Sequence, residues 1–261
     1  MNTKSGQFEK TIPDKPGDAG RSHLPPVIYE DDRLIAFDKP SGMLVAPDRW
    51  NKERGCLVEL VHRYVSPDAF NAHRIDAGTS GVVLFAKTKA ALRVIARLFE
   101  QHRIAKRYLA IVNDSPPRAK MTVTASLTQN AEKPGAMKVA TNGGMKAETN
   151  INLAKRWRRH SLVEAEPITG KTHQIRVHLE HIGCPIVADR IYGRDNGLYL
   201  SSIKKDYRFK YNLPEKPLIG RLALHAAEIS FQHPFTGQKV KIEAPLPKDF
   251  SIAIKYLDKF A

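Results

Sequence analysis

His73-Arg74-Ile75-Asp76-Ala77-Gly78-Thr79-Ser80-Gly81 runs directly into Val82-Val83-Leu84-Phe85-Ala86. The apolar run reads as a buried strand. The segment before it reads as a tight loop, since Asp and Gly are turn formers. An acid on a loop held by a core strand is fixed in place yet reachable, which suits chemistry. The same residues also fit a second reading, in which Asp76 only braces the turn.

Moving toward the N-terminus, Leu57 to Val65 reads as a helix, with Leu57, Leu60, Val61 and Tyr64 on one face. Val27–Tyr29 and Leu34–Phe37 read as strands around the acidic turn Glu30-Asp31-Asp32, and Met43–Val45 as a further short strand. Residues 1–24 are polar and carry few large apolar side chains, so a mobile tail is expected there. The remainder, 25–261, is expected to form the functional domain.

Toward the C-terminus, Thr88 is placed to cap a helix from Lys89 to about His102, with Leu92, Ile95, Ala96 and Phe99 as its apolar stripe. Lys106–Val112 and Met121–Leu127 read as strands. A projecting loop or hairpin is expected over 129–146. Thr149–Leu153 and Ser161–Ala165 pair as strands across the cationic run Lys155-Arg156-Trp157-Arg158-Arg159-His160. That run is either a phosphate-touching hairpin tip or a strand edge guarded by charge. Thr172–His181 reads as a helix ending at Gly183, and 193–217 as a basic loop. Strands are expected over Leu222–Phe231 and Lys239–Ala244, followed by a helix capped by Asp249. Strands outnumber helices without βαβ alternation. The expected class is therefore α+β, with a mainly antiparallel sheet and a few packed helices.

The 261 residues include 42 Lys and Arg against 27 Asp and Glu, a formal net charge of +15. A field of that sign draws polyanions, nucleic acid first. Two cysteines exclude a disulfide scaffold and a Cys-rich zinc site. No run reaches the roughly 18 apolar residues of a membrane span, and the polar start is no signal peptide. A cytoplasmic protein with no membrane partner, monomeric by default, is the expectation.

Several chemistries lack their motifs. Gly78-Thr79-Ser80-Gly81 is not a G-x-S-x-G elbow. No P-loop or dinucleotide fingerprint occurs, so no nucleotide cofactor is indicated. His173, His178 and His181 lack the H-E-x-x-H spacing of a zinc helix. Glu164 and Glu166 share one strand face, where ordinary surface charge accounts for them. Three residues stand out: Asp76 in its loop, Tyr108 after Lys106-Arg107, and Arg176 at the margin of a core-facing helix. A buried arginine needs an anionic partner. Asp76 can be that partner, and an arginine beside it favours the charged carboxylate. Such a carboxylate can be a nucleophile and Tyr108 a stacking ring. A buried Asp–Arg brace beside a packed tyrosine fits the same residues.

At these residues the chain resembles the RluA family of pseudouridine synthases. The family signature H-R-L-D-x-x-T-S-G, followed by an apolar strand and A-K, corresponds to His73–Lys87, with Ile75 for Leu. G-R-T-H-Q-I-R-V-H-L corresponds to Gly170–Leu179, with Lys171 for Arg. K-x-Y-x-A-x-V corresponds to Lys106–Val112, and L-H-A to Leu224–Ala226. The likeness runs from about residue 25 to 245. It implies the pseudouridine synthase catalytic fold with a basic RNA-binding cleft. It also implies an enzyme that detaches uracil from its ribose, turns it and rejoins it through carbon 5, with no cofactor. Asp76 would be the nucleophile, attacking either sugar or uracil; Arg176 would hold its carboxylate and Tyr108 would stack on the base. The target would be flipped out of its RNA, with Arg74 filling the gap. His73, Lys106, Lys171 and His173 would add RNA contacts, although Lys171 lacks the donor fork of the family's arginine. Ribosomal and transfer RNA are both possible substrates. With no room for a preceding S4-type domain, RNA choice would fall to the catalytic domain and its segments 129–146, 155–160 and 193–217.

Overall fold

A computed structural model describes residues 24–47, 55–208 and 213–261; the expected tail lies, apart from Leu24, outside the described residues. The first half holds β1 (Val27–Glu30), β2 (Leu34–Lys39), α1 (Leu57–Tyr64), β3 (Phe70–Asn71), β4 (Ser80–Ala86) and α2 (Lys89–Glu100). There follow β5 (Ala105–Asn113), β6 (Lys120–Thr124), β7 (Leu127–Gln129), β8 (Met137–Val139), β9 (Glu148–Arg156) and β10 (His160–Pro167). The chain ends with α3 (Gln174–His181), α4 (Leu200–Ile203), β11 (Leu224–Gln232), β12 (Lys239–Glu243) and α5 (Lys248–Phe260).

Ten strands form one sheet in the order β1-β2-β4-β11-β5-β10-β9-β6, with β12 on β11 and β3 on β4. Every pairing is antiparallel except β4 with β11. The α+β reading with a mainly antiparallel sheet thus describes the molecule. The exception is local: His225 and Ala226 of β11 lie beside Ser80 and Gly81.

β4 is continuously apolar because both its faces are covered. Val82, Leu84 and Ala86 pack with Ala91, Ile95 and Leu98 of α2. Val83 and Phe85 pack with Leu57 and Val61 of α1. A separate core joins β5 and β10 to Phe250, Ala253 and Leu257 of α5. Thr88 caps α2, its hydroxyl accepting the Ala91 N–H at 3.2 Å. The helix turns its smaller Ala91 and Leu98 inward, which leaves Phe99 partly buried.

Several expected elements differ. Met43–Val45 is no strand; Leu44 makes a single bridge to Cys56. The strand expected over Met121–Leu127 breaks at Ala125-Ser126 into β6 and β7, and β7 forms a separate two-stranded hairpin with β8. Asp249 sits in the first turn of α5, after Pro247 at the cap, and its carboxylate pairs with Arg221. Trp157 turns inward from its basic hairpin: only 8% exposed, it donates from Nε1 to Asp258 at 2.8 Å. Lys155 meets the same carboxylate at 2.6 Å. The ring therefore closes the hairpin on α5, and the neighbouring exposed Arg158 and Arg159 carry the outward charge.

Candidate active site

The loop before β4 is tied from beneath. Gly42 N–H and Lys39 Nζ donate to the Ala77 carbonyl at 2.7 and 3.2 Å, and Ser41 Oγ donates to the Gly78 carbonyl at 2.6 Å. Lys39 is fully buried and also binds the carbonyls of Pro40 and Met43. A buried ammonium needs such partners, and here they fix the residue after Asp76. Ile75 points into the core beside α1, Arg74 is exposed, and Asp76 is partly exposed. Gly81 closes the loop at φ 113, where any Cβ would lie 2.1 Å from the Ala226 carbonyl oxygen. Only glycine lets β4 pass β11 at this point.

Asp76 meets Arg176, whose Nη1 donates to Oδ2 at 3.1 Å. The segment before α3 explains the placement. Gln174 uses its whole amide: Oε1 accepts from Thr169 and the Lys171 N–H, while Nε2 donates to the Glu148 carbonyl and Thr149. His173, at φ 55, turns the chain into α3, so the helix starts two residues later than the pattern predicts. α3 is buried along Gln174–Leu179, which forces Arg176 to find anions. It has a second one. Asp189, 2% exposed, accepts from Arg176 Nε and Nη2, both at 2.8 Å. Asp189 also accepts the N–H groups of Ile191 and Tyr192. Burial alone raises the Asp189 pKa, but the Arg176 bonds and charge reverse this and leave it lowered.

These groups line a cavity of about 560 Å³, within the range of small-ligand sites. Arg74, Lys106, Lys171 and Arg176 face Asp76 and Glu100 across it. Tyr108 lines it from β5, between Ala165 of β10 and Ala226 of β11. Burial, aided by the Asp76 charge, raises the Tyr108 pKa and keeps the phenol protonated. Lys106 shares the cavity, with its pKa lowered by burial. His73 lines the wall against Phe99, but its Nε2 is taken by the Leu84 N–H at 3.0 Å. Burial and then the Lys106 charge push its pKa down to about 3, so the ring is a neutral acceptor and a brace for the loop. His173 Nε2 lies 3.9 Å from Asp76. His178 binds Thr149 and the Ala125 carbonyl, so both its ring nitrogens are occupied within the protein. Glu164 is paired with Arg107 at 3.3 Å, as surface charge.

All eight residues singled out from sequence thus line one cavity. Asp189, Tyr192, Gln174 and Lys39 were missed. Asp189 and Tyr192 lie in the aperiodic stretch Ala188-Asp189-Arg190-Ile191-Tyr192-Gly193, where only the need of Arg176 for a second anion pointed to an acid.

A carboxylate bonded to an arginine and lining one cavity with a tyrosine and further cations is an arrangement suited to an anionic substrate with a flat ring. The family model described as RNA pseudouridylate synthase matches residues 33–181. The chain belongs to that family, isomerases that turn uridine into pseudouridine within RNA. It is 32% identical over 227 residues to ribosomal large subunit pseudouridine synthase D of Neisseria meningitidis, covering 85% of this chain and 58% of that protein. It is 36% identical to ribosomal large subunit pseudouridine synthase C of Vibrio vulnificus, covering 88% and 69%. The chain thus spans less than two thirds of the first relative and slightly more of the second. Human RNA Pseudouridylate Synthase Domain Containing 4 shares the fold, with TM-score 0.67 and 22% identity over 89% of this chain and 92% of that one.

Proposed function

We propose that this chain makes pseudouridine in ribosomal RNA of the large subunit, with Asp76 as nucleophile. The observation that carries the reading is the Asp76–Arg176 pair at the floor of a cationic cavity. The relatives named for large-subunit ribosomal RNA support that substrate over transfer RNA.

The position of each residue supports the role proposed for it. Arg176 aims the carboxylate. Tyr108 offers a ring on which uracil can stack. Arg74, exposed at the rim, takes the place of the flipped base, while Lys106 and Lys171 meet phosphates. The exposed arginines of the 155–160 hairpin extend the basic face. Residues 25–261 would act as one catalytic domain, a reading supported by β1 and β12 belonging to the same ten-stranded sheet. Among the described residues no helix is long and apolar enough to cross a membrane, and exposed apolar side chains such as Val27, Phe235 and Leu246 come from separate segments. A monomer working in the cytoplasm is part of the same proposal.

The test is a map of pseudouridine across total RNA with and without the gene. One site in large-subunit RNA should vanish on deletion and return with the wild type but not with Asp76→Asn. The Asp76→Asn protein should still fold and bind RNA. Product at normal yield from that variant would sink the assignment.

A further inference from the structure

His173 combines three features that its placement as an RNA contact leaves unused. Its backbone is left-handed at φ 55, a conformation costly for a residue with a Cβ and found where a side chain must be aimed. Its Nδ1 lies 2.9 Å from the Tyr192 hydroxyl. Its Nε2 faces Asp76 Oδ2 at 3.9 Å, too far for a hydrogen bond but close enough that an atom set to one side of the line joining them can meet both.

The bonds of Tyr192 favour one tautomer, in which its hydroxyl accepts once and donates once. Its oxygen lies 2.7 Å from the Met137 backbone nitrogen, and that N–H can only donate. The hydroxyl hydrogen is then left for its other partner, His173 Nδ1, and among the described residues no other acceptor bonds to it. Nδ1 therefore accepts, and a neutral ring carries its hydrogen on Nε2. Burial lowers the His173 pKa against the pull of Asp76, which keeps the ring neutral. Tyr192 is itself held: the Arg176 guanidinium carbon lies 5.0 Å from its ring centroid, and its N–H is bound to Asp189.

We propose that His173 is a catalytic residue that donates a hydrogen bond from Nε2–H to the uracil as it parts from its ribose, with Tyr192 as the positioning residue that fixes the tautomer. The proposal rests on the isomerase reading. The bond that breaks joins ribose C1′ to uracil N1. Its electron pair ends on the uracil, where resonance spreads the charge over N1, O2 and O4. Whether Asp76 first attacks sugar or ring, the uracil oxygens gain negative charge. A fixed donor at that place stabilises the charge without surrendering its proton. C5 then bonds to C1′, the bond to Asp76 breaks and its carboxylate is restored, the C5 hydrogen leaves as a proton and N1 gains one. The product is an isomer, and His173 ends as it began.

The test uses the full-length protein and an RNA stem-loop that the wild type converts. Single-turnover rate and RNA affinity are measured for His173→Ala, His173→Gln and Tyr192→Phe. His173→Ala should lose about 100-fold in rate while its Kd stays within about threefold, under 1 kcal/mol. His173→Gln keeps an N–H donor and should recover about tenfold of that rate, and Tyr192→Phe should lose about tenfold. Long-range nitrogen–proton spectra of labelled protein should show His173 as the Nε2–H tautomer, altered in Tyr192→Phe. If His173→Ala does not fold, His173→Gly suits the left-handed backbone and replaces it. A full rate without the imidazole, an Nδ1–H tautomer in the wild type, or equal losses of affinity and rate would each overturn the proposal. Absence of product from the wild type on every uridine-bearing RNA overturns the isomerase reading beneath it.

Discussion

Asp189→Asn isolates the support under the Asp76–Arg176 pair. The substitution is nearly isosteric, but the amide brings a donor where Asp189 now accepts. Arg176 presents Nε–H and Nη2–H to two carboxylate oxygens at 2.8 Å each. One oxygen also serves the N–H groups of Ile191 and Tyr192. The amide NH₂ must face either a guanidinium N–H or these backbone donors, so one contact becomes a repulsion in a fully buried place. Removing one partner of a buried pair costs about 3–5 kcal/mol, against a total stability of about 5–15 kcal/mol for a domain. The variant should fold, with a midpoint clearly lowered in urea titration. Arg176 would keep one bond to the amide oxygen and its 3.1 Å bond to Asp76, and a displacement of about 1 Å there costs about 100-fold in rate. RNA binding should change little, because Asp189 does not line the cavity. The acid limb gives an independent check. The folded pKa of Asp189 is lowered, so this carboxylate contributes stability that is fully present above its unfolded pKa of about 3.9. That contribution fades as pH falls through the folded value, because the unfolded chain takes up the proton first. The stability of Asp189→Asn should therefore fall less steeply with acid below about pH 4. Wild-type stability together with a wild-type single-turnover rate would refute the reasoning, since Asp76 alone would then be holding Arg176.

Tyr108→Ala should weaken turnover by about 10- to 100-fold, the worth of one base–aromatic stack of 1–3 kcal/mol, while Tyr108→Phe stays near wild type; equal losses from both would point to the hydroxyl instead of the ring. Gly81→Ala should fail to accumulate as folded protein, because its Cβ would meet the Ala226 carbonyl oxygen at 2.1 Å; a soluble variant with an unchanged melting curve would show that β4 and β11 can separate. Trp157→Ala should cost about 3–5 kcal/mol as a large-to-small core change and leave RNA affinity intact, which filter binding and calorimetry would separate from a stacking role.

Much of this was legible because the signals are local and periodic. β4 announces itself through a run that is apolar at every position, and the structure explains why: α2 covers one face and α1 the other. Asp76 stood out because a core strand follows it, and Arg176 because its helix offered no solvent. The partners of Arg176 were another matter. Asp76 could be guessed from motif order, but Asp189 sits thirteen residues on in a turn with no period. Trp157 misled for the opposite reason. Four cations surround it in sequence, so the run reads as a surface tip, while the ring folds under them onto Asp258. The break at Ala125-Ser126 was hidden too, since alternation continues in sequence while the chain leaves the sheet. His173 was visible as a residue but not as a geometry; its left-handed backbone and its bond to Tyr192 depend on a hairpin from residues 127–139 that no pattern links to it.

The sheet order carries a consequence for how the protein comes into being. Asp76 leads into β4, and Arg176 follows β10, yet these strands are not neighbours: β11 and β5 stand between them. β11 binds β4 on one edge and β5 on the other. In the chain it follows every strand named above except β12. A chain made only as far as residue 223 holds every lining residue of the cavity except Leu224, while the two halves remain unjoined. Until Leu224–Gln232 slots between them, nothing sets the carboxylate against the guanidinium. A product cut short before that strand is thus expected to carry Asp76, Tyr108 and Arg176 without the arrangement that the reaction needs.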